Sequence, residues 1–250
     1  MNPIWVIATK ESGELLLSVR GLAWLLAMSV VLSGFGLLLV GDTELSLLDN
    51  AQVVYDMVGI TTALGALLAI IVGVDTIAGE HERGSLVPLL ITPISRDSIL
   101  LGKLGGVAIA WTVMYLLAIP YLWAVGSTGQ NLAEGLLTAA LFGTPVVLAF
   151  GFFGMGLGSR LAMVRTGLLA GLIVLVLAAS PLLLGPSLRQ SAIGRAFDFV
   201  NPFSAAINAY DAVIIDSQPI TAQQFNLTVT VVWLVLALWF ARRSFRRVVR

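Results

Sequence analysis

Six stretches of this 250-residue chain are apolar for 17 to 23 residues each, close to the ~20 that a helix needs to cross about 30 Å of hydrocarbon. They are Gly21–Val40, Val53–Val74, Leu104–Val125, Gly135–Leu157, Thr166–Leu184 and Phe225–Ala241. Backbone polar groups in lipid must pair within the chain, and unbroken runs of this length do so as helices. The expected fold class is therefore an all-α membrane protein with six transmembrane helices, a single transmembrane domain over residues 1–250. Composition agrees: 58% of residues are apolar and 11% charged, against about 45–50% and ~25% in soluble domains. The surplus apolar surface has to face lipid.

Basic residues set the orientation. Twelve of the 14 lie before span one, between spans two and three, between spans four and five, or after span six. The other side holds Asp42, Glu44, Asp49 and Glu134, with only Arg189 and Arg195 in the last loop. Both termini are thus expected in the cytoplasm of a multi-pass inner (plasma) membrane protein. The first run is expected to be a retained span, because Lys10, Glu11, Glu14 and Arg20 precede it and it exceeds the roughly 7–15 residues of a signal h-region.

Outside the spans, residues 1–20 read as an amphipathic interfacial helix, with Ile4, Trp5, Ile7, Ala8, Leu15 and Leu16 interleaved with Lys10, Glu11 and Glu14. Residues 75–103 form a polar cytoplasmic loop. Residues 185–224 form an external segment too apolar for a plain loop, expected as short helices on or in the outer leaflet. Gly102-x-x-x-Gly106, Gly154-x-x-x-Gly158 and Gly167-x-x-x-Gly171 have the spacing that lets helices approach closely.

The residues that catalysis would need are scarce. There is no cysteine and one histidine, His81, so neither a thiolate site nor a three-ligand zinc site is expected. No phosphate-binding Gly-x-x-x-x-Gly-Lys-Ser/Thr occurs, and a net charge of +0 offers nothing to nucleic acid. Span interiors carry no charge beyond Asp56 and Asp75 at the edges of span two. That argues against ion-coupled transport, which keeps ionisable groups near the midplane.

The distinctive segment is the loop after span two. Charged residues at 80–83 end a short helix, Leu86, Leu89 and Leu90 make an apolar face, Pro93 breaks the chain, and Ser95 is placed to cap the helix of span three. In order it reads Glu80-x-Glu82-Arg83-Gly84-Ser85-Leu86, then Leu89-Leu90-Ile91-Thr92-Pro93-Ile94-Ser95-Arg96, then Gly102-Lys103. This resembles the signature of type-2 ABC exporter permeases, and the layout of the whole chain is similar to that family's.

The resemblance implies a membrane-spanning, non-catalytic permease subunit with no cofactor of its own. ATP and Mg would sit on a separate ABC ATP-binding subunit. Two permease chains would pair, most simply as a homodimer, with spans one, two and five lining the path between them. The loop after span two would hold the coupling helix: Glu80, Glu82 and Arg83 touch the ATPase, Gly84 permits the turn, Leu86, Leu89 and Leu90 fill its groove, and Pro93 and Arg96 set the re-entry into span three. The implied cargo is amphipathic or lipid-like, a drug, a peptide, or a metallo-enzyme maturation factor such as that serving the copper site of nitrous oxide reductase. A membrane scaffold or regulatory subunit, and an intramembrane enzyme, are the competing classes.

Overall fold

The computed structural model describes residues 3–41, 50–85, 94–126, 131–180 and 191–248, and these residues form helices and turns with no strand. Helix α1 is Pro3–Leu16 and α2 is Val19–Gly41. Helix α3, Asn50–Val74, continues through a π-helical turn at Asp75–Gly79 into a last turn at Glu80–Glu82. Helix α4 is Arg96–Gly126, and α5, Leu132–Leu161, widens into a π turn at Ala139–Gly143 just before Pro145. Then come α6 (Val164–Ala179), α7 (Ala192–Val200) and α8 (Pro202–Tyr210, with a π turn at Asp211–Ile215). Last is α9 (Gln224–Val248), led in by a 3-10 turn at Ile220–Gln223.

Five of these helices are long and apolar enough to cross a membrane: Gly21–Leu39, Ala51–Glu82, Arg96–Ala124, Leu132–Leu161 and Ile220–Arg247. They contain the first, second, third, fourth and sixth apolar runs almost entirely. The fifth run, Thr166–Leu184, coincides with α6, which has 16 residues; positions 181–184 lie outside the described residues. Several helices overrun their apolar stretch at the end rich in basic residues. The α3 segment runs eight residues past Val74, and α4 starts at Arg96 rather than Leu104. Charged side chains there pair between helices, which lets the helix continue beyond hydrocarbon.

Helices in lipid gain nothing from excluding water from one another, so they associate by close packing, and small residues permit it. All three glycine pairs lie at helix contacts. A Cβ on Gly154 would fall 2.7 Å from the Ile70 carbonyl oxygen and one on Gly158 2.8 Å from that of Val74, so α5 lies backbone to backbone on α3. Gly167 faces the Val74 side chain at 2.7 Å and Gly171 that of Ile70 at 3.4 Å, seating α6 on the same stretch. Gly102 and Gly106 face Ile7 and Glu11, so α4 forms the bed for α1.

Two helices outside the long apolar runs also pack into the bundle. Helix α1 buries Ile7, Ala8, Glu11 and Ser12 and leaves Trp5 exposed, so its inner face contains a carboxylate. Helix α8 is sunk in the bundle, with Phe203 tilted against Phe150 at 5.4 Å and the Tyr210 hydroxyl 2.9 Å from Thr62 Oγ1. Asn201 caps α8 by accepting from the backbone N–H groups of Phe203 and Ser204.

Candidate coupling site

The end of α3 meets three other helices through side chains that ordinarily stay in water. Lys103, one turn into the apolar part of α4, is fully buried. Its ammonium donates to Glu11 Oε1 at 2.7 Å, lies 2.8 Å from Glu80 Oε1, and donates to the Thr76 carbonyl at 3.2 Å. Two hydrogen bonds and one further ion pair thus converge on a single ammonium. The acceptors come from α1, from the last turn of the α3 segment and from the π turn between, so one ammonium locks three chain segments in register.

The charge balance is uneven, since two carboxylates share one cation. Burial pushes the Glu11 carboxyl above its ordinary range, against the pull of Lys103, and the neighbouring Glu80 adds to the rise. Glu80 Oε2 is buried with no hydrogen-bond partner among the described residues. Leaving such an oxygen unpaired costs about 1–3 kcal/mol.

Glu82 reaches another helix. Its Oε1 accepts from the backbone N–H of Val164 at 2.9 Å. Met163, the N-cap residue of α6, supplies no side-chain cap, so Glu82 satisfies one of that helix's orphan donors from across the bundle. Arg83 lies 3.9 Å from Asp75 over Gly79, where a Cβ would meet both side chains. Gly84 turns the chain at φ +70°, left-handed backbone that glycine adopts without strain. His81, Glu82, Arg83, Gly84 and Ser85 are exposed, whereas Glu80 is largely buried.

On the return, Ser95 Oγ accepts from the Ser98 backbone N–H at 3.1 Å and caps α4, and Arg96 is exposed beside it. Asp97 pairs with Arg242 at 2.6 Å and Arg246 at 3.2 Å, tying α4 to the end of α9. Leu86, Leu89, Leu90 and Pro93 lie outside the described residues. Of the expected loop residues, then, Glu80, Glu82, Arg83 and Gly84 share one corner, and Arg96 stands at the foot of the next helix.

Sequence reasoning missed Glu11, Thr76 and Lys103 as a unit. The available signal was a lysine directly after a small residue, Gly102-Lys103, eight positions inside a membrane-length helix whose first residue is Arg96. A cation there requires a buried counter-charge. A cavity of about 770 Å³ opens beside this corner, walled by α1, α2, α3, α4 and α6, with Glu11, Asp75 and Glu80 among its charged lining and Trp24, Leu68 and Leu168 among its apolar lining.

Residues 5–248 match the family described as ABC-2 family transporter protein. A probable ABC transporter permease protein NosY of Pseudomonas aeruginosa is 28% identical over a 274-residue alignment that covers 96% of this chain and 94% of that protein. A probable ABC transporter permease protein NosY of Stutzerimonas stutzeri is 35% identical over 114 residues, 42% of this chain and 39% of that protein. A helical bundle with five membrane-length helices, matched nearly end to end in this way, belongs to the ABC-2 family of transporter proteins as a membrane-embedded permease subunit.

Proposed function

We propose that this permease is one half of an ATP-driven exporter, coupled to a separate ATP-binding subunit through the corner at residues 80–85. The observation that carries this reading is the junction at the end of α3, where Glu80 engages Lys103 and Glu82 engages Val164. A push on the loop is passed to α1 and α4 through the lysine and to α6 through the Val164 N–H. The exposed Arg83 is left to meet the partner beyond the turn at Gly84, Leu86, Leu89 and Leu90 fill the partner's groove, and Pro93 and Arg96 set the re-entry into α4. ATP and Mg are bound and hydrolysed on that partner, and this chain carries no cofactor.

The reading includes six spans with both termini in the cytoplasm of the inner membrane, α6 being the fifth. The links Glu82–Val164, Arg160–Ser244 and Asp97–Arg242 support it, because they gather every loop expected in the cytoplasm at one end. Helices α7 and α8 occupy the outer leaflet side. A second copy pairs with this chain, and the cavity between α2, α3 and α6 becomes part of the path between the copies. Its mixed lining suits an amphipathic or lipid-like, drug, peptide or maturation cargo.

Co-expression with the ATP-binding subunit encoded beside the gene tests this. A complex should co-purify in detergent, and Glu82→Arg should uncouple its ATPase from the permease while the chain stays folded. A Glu82→Arg complex with unchanged turnover overturns the assignment of the corner, and the absence of any ATPase partner favours a scaffold.

A further inference from the structure

A groove of about 400 Å³ lies between α5, α6, α8 and α9, apart from the coupling corner. Phe150, Phe153, Leu177, Trp233, Leu236 and Phe240 are among its walls. The amide that reaches it, Asn201, is largely engaged: one N–H of its Nδ2 donates to the Ala178 carbonyl at 2.9 Å, and its Oδ1 accepts from Phe203 and Ser204. The Trp233 indole N–H donates to the Val200 carbonyl at 2.6 Å. Asn201 is the one amide or charged side chain among the lining residues, so the groove suits hydrocarbon.

Trp239 is shared between this groove and a second pocket of about 340 Å³, whose other walls are Arg242, Arg243, Arg246 and Arg247. Leu236, Phe240, Arg243 and Arg247 follow one another at helical spacing, so a single face of α9 changes from apolar to basic after residue 240. Arg242 and Arg246 are held by Asp97. Arg243 lies over the Trp239 ring at 5.6 Å, and among the described residues neither it nor Arg247 has a carboxylate partner. Both are exposed, at the end of a helix that crosses the membrane.

We propose that this groove and pocket together bind one anionic phospholipid of the surrounding bilayer. One acyl chain lies against Phe150, Leu177 and Phe240, and the phosphate sits between Arg243 and Arg247. Charge complementarity selects the headgroup and the apolar lining selects the tail. Basic pockets where membrane helices reach the interface take anionic headgroups in this way. The site shares no lining residue with the cavity beside Glu80, and its occupancy does not require an ATPase.

Native mass spectrometry of the delipidated full chain, titrated with phosphatidylglycerol or with phosphatidylcholine of the same acyl chains, tests the site. Phosphatidylglycerol should bind more tightly. Arg243→Gln should lower that preference about fivefold and the double change with Arg247→Gln about 25-fold, the worth of one basic side chain each at an anionic surface, with phosphatidylcholine, whose choline offsets its phosphate charge, weakened less. Leu177→Trp, at a wall residue that is 61% exposed, should fill the groove and weaken both lipids. An equal preference in the parent chain and the double arginine variant overturns the proposal. Because the chain has no cysteine, Leu177→Cys can carry a photo-crosslinker in a bilayer. Adducts to lipid support the site; adducts mainly to a second copy of the chain show the groove to be a protein interface instead.

Discussion

Removing the ammonium of Lys103 is the sharpest perturbation of the corner at the end of α3. Lys103→Met keeps most of the side-chain volume and leaves Glu11 and Glu80 facing each other where both had been within 2.8 Å of Nζ. Breaking a buried ion pair from one side costs about 3–5 kcal/mol, because the remaining charge stays desolvated. For a chain of 250 residues, at about 2–4 °C of melting temperature per kcal/mol, the loss is ~6–20 °C. The penalty belongs to the stranded carboxylates, so neutralising them should undo it. The triple variant Lys103→Met, Glu11→Gln, Glu80→Gln should recover at least half of the loss, as uncharged replacements of buried ion pairs often do. Thermal unfolding in detergent at pH 7, followed by circular dichroism, measures both variants. A Lys103→Met protein that melts within about 2 °C of the parent refutes the reasoning, since less than ~1 kcal/mol would then rest on the triad.

The same cluster makes stability depend on pH. A carboxyl whose folded pKa is raised contributes stability that is present below its unfolded value, near 4.5 for Glu11, and is lost as pH rises through the higher folded value. The melting temperature of the parent should therefore gain, relative to Glu11→Gln, as pH falls from 7 toward 5. Gly154→Ala places a methyl 2.7 Å from the Ile70 carbonyl oxygen, which is backbone and cannot swing aside; it should cost about 1–3 kcal/mol, whereas Gly13→Ala, with nothing within 4 Å, should be neutral or better in the same melt. Tyr210→Phe removes one buried hydrogen bond but leaves Thr62 bonded to the Val58 carbonyl, so it should cost only about 0.5–1.5 kcal/mol.

What was legible in the sequence was what depends on period and length. Apolar runs near 20 residues fix helices because lipid offers the backbone no other partner, and five of the six runs coincide with membrane-length helices. The three glycine pairs were legible too, since a missing Cβ is the feature that admits a second backbone. Illegible was which polar residues turn inward. Glu11 sits on a helix whose charges read as a solvated face, and nothing in residues 3–16 says that Gly102 and Gly106, over 90 positions away, will bring α4 against that face. That Glu82 also accepts from the Val164 N–H was not legible either, because a cap supplied from another loop has no sequence spacing.

A buried lysine between two glutamates is a poor way to stabilise a bundle that already has glycine-fitted helix contacts. Apolar side chains of similar size would hold α1 on α4 at least as well. What they would not do is fix position, because apolar contacts slide by a fraction of a turn at small cost, whereas two hydrogen bonds and an ion pair from one Nζ favour one register. The end of α3 is where that matters most, because its last turn holds α1 and α4 through Glu80 and α6 through Glu82. A loop that had to move its helices as one body would need such directional links more than it needs binding energy. The triple variant separates the two roles: it should regain much of its melting temperature, yet in complex with an ATPase it should still turn over ATP without transmitting the stroke.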